Sequence, residues 1–438
     1  MLQTFRKAFQ IEDIRRKILY TLAMLFVVRL GSQLPTPGVD PTYIQNFFAN
    51  QTGDSFNFFN AFTGGSFETM SIFALSITPY ITSSIIIQLL TIAIPKLEEM
   101  QKEGEDGRKK LTALTRYVTV VLALIESTAM AVGFGRQGLL EKFNFVNATI
   151  VVLTLTAGSA FLMWIGERIT EKGVGNGISI VLLINILSRI PSDMTSLYEK
   201  FISGKGLASG GLAAIIIIAI ILVLVVFTVI LQDAERRIPV QYSQKVQGRK
   251  SVGGQSTNIP LKVNTAGVIP VIFASSLMSI PQMIVAFTGA NVGTGIGATL
   301  IGMLSQNNWF NFSKPVYSIG LILYIVLNVF FAYFYTSITF NPIEVADNMK
   351  KQGGFIPGIR PGKPTQEYLE KVLNYLVFIG AAGLIIVVLI PIFFNGVFGA
   401  SVSFGGTSII IIVGVILETL KQIESQMLVR NYKGFLSE

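Results

Sequence analysis

Ten apolar stretches recur along the chain, near 18–34, 71–94, 117–135, 148–166, 177–190, 212–231, 265–287, 316–336, 373–394 and 406–420. A helix needs about 20 apolar residues to cross a bilayer, and most of these stretches come close to that or exceed it. The chain is 51% hydrophobic and 13% charged, against roughly 25% charged in an average soluble domain. Lipid is therefore its main solvent. The sequence contains no Cys and no His, which excludes disulfides, thiol chemistry and the usual zinc and copper sites. No metal and no cofactor is expected. The first apolar stretch lacks a small-residue cleavage site after a short apolar core, so it reads as a retained helix.

Positive charge sets the orientation. Residues 1–17 and the alternate loops 95–116, 167–176, 232–264, 337–372 and 421–438 carry 27 Lys and Arg. The opposite loops carry six, and Arg29 lies within the first span. By the positive-inside rule both termini are cytoplasmic. The net charge of +9 is then mostly a topology signal that favours anionic lipid, and no direct nucleic-acid substrate is expected.

Spans two and seven share the pattern P-x-I-x-x-S, at Pro79 to Ser84 and at Pro270 to Ser275. Spans five and ten both read as unusually short, and both follow Gly-rich lead-ins, GVGNG at 173–177 and FGG at 404–406. Oddities paired five spans apart predict two inverted halves with the working site between them. The expected fold is an all-α polytopic membrane protein of ten helices. Residues 1–205 form the first half with spans one to five, and residues 206–438 form the second with spans six to ten.

A coupled transporter normally carries ionisable residues inside its spans, and here Glu126 is the one acid deep in a helix. It reads either as a packing acid or as a functional one, with Gln88 and Asn264 as candidate partners. Ile77, Ile81, Leu182, Ile272 and Ile411 lie on the repeat-related spans two, five, seven and ten. Such residues read first as core, although a ring of them at a constriction would exclude water and ions by dewetting. Between Ser55 and Thr69 the chain is apolar yet broken by Asn57, Asn60 and Gly64-Gly65, which reads as an amphipathic interfacial helix. No P-loop, metal cluster or catalytic pair is present, so an enzyme is not expected.

Several stretches together resemble the SecY family, the central channel subunit of the bacterial Sec translocon: SIFALSITPYITSSIIIQLL, ERITEKGVGNGISI, QSTNIPLKVNTAGVIPVIFASS, FNPIEVADNMKKQGGFIPGIRPG and FGGTS. The resemblance covers essentially the whole chain. It implies a channel that passes unfolded secretory polypeptides across the membrane and releases apolar segments sideways into lipid, through halves that open like a clamshell. It makes Ile77, Ile81, Leu182, Ile272 and Ile411 a pore ring. The 55–69 stretch becomes a short re-entrant plug helix, with Phe56, Asn57, Phe58, Phe59, Asn60, Phe62, Gly64, Gly65 and Phe67 as its residues. Gln88, Glu126 and Asn264 fall at a lateral gate between spans two and three and spans seven and eight. Arg236, Arg237, Arg249, Lys250 and Arg360 fall in loops that dock the SecA motor or the ribosome. Implied partners also include the small membrane subunits SecE and SecG, signal sequences, preproteins and the bilayer of the bacterial plasma membrane. The competing reading is a ten-helix secondary transporter of a small solute.

Overall fold

The computed structural model of the chain describes residues 8–40, 42, 63–135, 139–140, 143–203, 207–242, 245–247, 250–252, 256–288, 296–305, 308–310, 315–398 and 406–434. Helices stand at all ten expected places. The first half has Glu12–Gly31, Thr78–Ala93, Glu105–Phe134, Phe145–Lys172 and Gly177–Phe201. The second half has Leu207–Asp233, Ile269–Thr288, Ser318–Thr339, Lys363–Phe398 and Gly406–Gly434. Among the described residues, six helices are long and apolar enough to cross a bilayer alone, and the bent pair Thr78–Ala93 and Pro95–Lys102 makes a seventh. That pair turns by 102° at Ile94, which is extended at φ −113° and ψ 110° because Pro95 disfavours helical backbone in the residue before it.

Spans five and ten are not short. They run 25 and 29 residues as helix, since each continues through polar sequence that hydropathy alone trims away: Ser192 to Lys200 after span five, and Lys421 onward in span ten. Pro191, Pro281 and Pro391 lie inside spans five, seven and nine, where neighbouring helices can satisfy the freed carbonyls. Close crossings use glycine. A Cβ on Gly177 would lie 1.9 Å from the Gly166 carbonyl oxygen, so spans five and four meet backbone to backbone.

The segment from Thr63 to Ile77 is a chain of turns packed against span five. Gly64 and Gly65 take φ +66° and +85°, and Met70 and Ser76 take φ +45° and +53°. For residues with side chains that conformation costs about 1–3 kcal/mol each. Fixed bonds hold it: the Met70 carbonyl accepts from Thr36 N–H at 2.9 Å, and Ser76 Oγ accepts from Asn185 Nδ2 at 3.0 Å.

Reading the chain as purely helical missed a small sheet on the basic face. Strands β1 (Glu235–Tyr242) and β4 (Ser256–Lys262) pair antiparallel, from Glu235 with Lys262 to Gln241 with Ser256. Between them in sequence, β2 (Lys245–Gln247) and β3 (Lys250–Val252) pair as a separate ribbon. Strand β5 (Gly354–Phe355) comes from the loop between spans eight and nine and pairs with β1 at Gln241 and Tyr242. The two largest basic loops are thus one body. Ile238, Val240 and Leu261 on one sheet face bury against Met349, Ile356, Leu369 and Leu376, each such side chain contributing about 1.5–3 kcal/mol.

Candidate functional site

Between the halves, spans two, five, seven and ten send aliphatic side chains into one apolar cluster. Ile77, Leu182, Ile272 and Ile411 are all buried there, and half-buried Ile81 packs against them. The shared P-x-I-x-x-S pattern has a geometric meaning here. Its proline stands in the first turn of span two and again of span seven, where a missing N–H costs no hydrogen bond. Its third position is Ile81 in one half and Ile272 in the other.

A cavity of about 470 Å³ opens above this cluster toward the basic face. Its floor is Ile81, Leu182, Ile272 and Ile411, while its mouth is polar, with Gln88, Arg116, Glu167, Glu171 and Asn176. Ile77 lies one turn from Ile81 on the far side and does not line the cavity. Arg116 Nε donates to Glu167 Oε1 at 2.7 Å, tying spans three and four across the funnel wall. Asn176 caps span five by accepting from the Ile178 and Ser179 amides at 3.1 and 3.4 Å.

Below the floor, span five holds the turn segment. Asn185 and Ser188 follow Leu182 by three and six residues, which is about 4.5 and 9 Å along the axis. Ser188 Oγ donates to the Gly64 carbonyl at 3.2 Å, and Arg189 pairs with Glu68 at 3.1 Å. A Cβ on Gly64 would stand 2.8 Å from the Asn185 carbonyl oxygen, so only glycine fits. Phe67 is buried with Met70 and Phe134. Of the expected plug residues, Phe56, Asn57, Phe58, Phe59, Asn60 and Phe62 lie outside the described residues.

The three expected gate residues do not bond one another. Gln88 Nε2 donates to Ser84 Oγ at 3.3 Å, and Asn264 Nδ2 donates to the Gly267 carbonyl at 3.0 Å. The pairing of either amide with Glu126 is therefore corrected: each is held within its own helix or turn, and Glu126 stands half-buried on span three. Gln88 Oε1 is buried without a hydrogen-bond partner. Span seven packs against span three of the other half and against span eight of its own.

On the basic face, Arg360 is exposed within a tip turned by Gly358 and Gly362 at φ +83° and +100°. Its carbonyl accepts from Thr365 Oγ1 at 2.8 Å. Ile356 nearby is buried rather than available for contact. Arg236 and Arg237 are exposed on β1, and Arg237 Nε donates to Glu235 Oε1 at 2.7 Å. Lys250 belongs to β3, and Arg249 lies outside the described residues. Sequence reading passed over Glu68 and Arg189. A lone acid in the apolar 55–80 stretch and a lone Arg at the far end of span five were the available signals.

Residues 71–420 match the family model described as SecY. The chain belongs to the SecY family. A protein translocase subunit SecY from Streptomyces scabiei is 47% identical over 453 residues, covering 100% of both chains. A solved structure described as that of a protein conducting channel superposes with a TM-score of 0.61 at 17% identity, covering 94% of this chain and 92% of that one. Sec61 in a canine ribosome-channel complex from the endoplasmic reticulum gives 0.59 at 17% identity, with coverage of 94% and 92%. These two share the fold. As a SecY-family member the chain is a multi-pass membrane channel for protein translocation, and a small-solute transporter is not favoured.

Proposed function

We propose that an unfolded polypeptide enters the funnel from the cytoplasmic face, passes the ring of Ile77, Ile81, Leu182, Ile272 and Ile411, and displaces a plug whose tail is the Gly64 to Phe67 segment. Apolar segments leave sideways between spans two and three and spans seven and eight, past Gln88, Glu126 and Asn264. The observation that carries this is the funnel itself. Its mouth is polar, its floor is aliphatic, and the floor draws on both halves, 1–205 and 206–438. Aliphatic side chains offer water no hydrogen bonds, so the constriction stays dry at rest and yields only to something large.

Both termini lie in the cytoplasm of a bacterium, with the protein in the plasma membrane. The chain acts as a passive conduit. Drive comes from a SecA-type motor or from a ribosome, which docks at Arg236, Arg237, Arg249, Lys250 and Arg360, and SecE- and SecG-type small subunits complete the channel. The ribosome-bound Sec61 of like fold supports the ribosomal partner. Vesicles reconstituted with the channel test the reading. Preprotein import is expected only with motor and ATP, and the vesicles should be ion-tight without them. Solute uptake down an ion gradient with no second protein would overturn it.

A further inference from the structure

We infer that the groove between the loop-facing ends of spans eight and nine binds one phospholipid whose headgroup ends in an ammonium. The groove shares no lining residue with the funnel. It rests on the proposed cytoplasmic placement of loop 337–372 and not on the path taken by a polypeptide.

Leu373 and Val377 of span nine are buried with Ala332 of span eight, and the Tyr333 hydroxyl donates to the Asn374 carbonyl at 3.2 Å. These contacts hold the two helices side by side. The cavity beside them measures about 630 Å³, within the range of about 300–1,000 Å³ for pockets that take one small ligand. Its polarity changes along its length. Phe330, Phe334 and Val377 line the deep end, while Ser337, Asn341, Gln366, Glu370 and Asn374 line the mouth. From Glu370 to Val377 along span nine is about 10 Å. An acyl chain fits the apolar end and a headgroup the mouth, whereas a wholly apolar ligand would bury the mouth groups unpaired.

Charge selects the headgroup. Loop 337–372 carries five Lys and Arg, yet none of them lines the groove, and the one charged side chain that does is Glu370. It is exposed, and among the described residues its carboxylate has no ion pair or hydrogen bond. To an anionic lipid this carboxylate offers only repulsion. With an ammonium it forms a charge-assisted hydrogen bond. The side-chain amides of Gln366 and Asn374 are also without partners among the described residues, and their N–H groups can donate to the phosphate.

The test is native mass spectrometry of the full channel in detergent, given phosphatidylethanolamine and phosphatidylglycerol with the same chains in equal amounts. The wild type is expected to retain one phosphatidylethanolamine with about fivefold preference. Glu370→Gln should lower that preference by about two- to fivefold. Glu367→Gln, an exposed acid on the same helix outside the groove, should leave it unchanged. Asn374→Trp and Ser337→Trp fill the mouth from exposed positions on either helix, and each should reduce the retained lipid by one molecule with helix content unchanged by circular dichroism. Equal retention of the two lipids by the wild type, an unaltered preference in Glu370→Gln, or undiminished retention in both Trp variants would overturn the site. A polypeptide retained by the wild type and lost from both Trp variants would give the groove to a partner helix and overturn it equally.

Discussion

The Glu68 carboxylate stands 3.1 Å from the Arg189 guanidinium, joining the tail of the proposed plug to the helix that carries Leu182. The Arg189 side chain is 17% exposed and that of Glu68 39%. A pair this open to solvent contributes about 0.5–1 kcal/mol. Arg189→Gln should therefore raise resting ion conductance in a planar bilayer by about two- to fivefold. Reversing the pair with Glu68→Arg and Arg189→Glu should bring it back toward wild type. Conductance that ignores all three substitutions would remove the pair from plug closure.

The floor of the funnel should be what keeps ions out once the plug is gone. Changing Ile81, Ile272 and Ile411 together to Ser replaces two buried aliphatic chains and one half-buried one, a buried one being worth about 1.5–3 kcal/mol of exclusion from water. With the plug also deleted, ion conductance should rise by about tenfold or more over the plug deletion alone. An unchanged current would mean that the seal lies elsewhere.

Gln88 should set how apolar a segment must be to leave through the seam. Its Oε1 is buried without a hydrogen-bond partner in this structure, a condition that costs about 1–3 kcal/mol. In the parted seam the amide reaches funnel water, so the cost falls on the closed state. Gln88→Leu lifts it and should make the seam harder to open. In an insertion assay with a graded series of test helices, the threshold should move toward more hydrophobic segments. A shift the other way, or none, refutes the placement.

Arg360 and Ile356 separate docking from structure within one loop. Arg360 is exposed, and Ile356 is buried against the sheet. Arg360→Glu should abolish motor-driven import while thermal unfolding of the purified channel stays at the wild-type temperature. Ile356→Ala should destabilise the loop by about 2–5 kcal/mol. Import by Arg360→Glu at the wild-type rate would show that the guanidinium is not a docking group.

Much of this was legible because lipid enforces a simple rule: backbone polar groups must bond within the segment, so long apolar stretches become helices. The ten helices follow from that rule, and the P-x-I-x-x-S pattern marked Ile81 and Ile272 as equivalent. Helix ends were less legible. Polar continuations such as Ser192 to Lys200 give no apolar signal, so spans five and ten were cut short. The sheet was missed because β5 is two residues long and pairs across a separation of more than 100 residues. No local pattern at Gly354 and Phe355 announces that partner. The pairing of the two amides with Glu126 was misread for a related reason. Gln88 and Asn264 were candidate partners of Glu126, but Ser84 and the Gly267 carbonyl were closer in the chain and took the bonds.

Strand β5 has a mechanical consequence. Because Gly354 and Phe355 are hydrogen-bonded to β1, and Val263 N–H bonds the Ala234 carbonyl at 2.9 Å, the exposed tip at Arg360 is coupled through one short lever to the ends of spans six, seven and nine. A partner docked at that tip, as proposed above, would deliver torque to the helix bearing Ile272 without touching it. Binding and gating would then share a single load path.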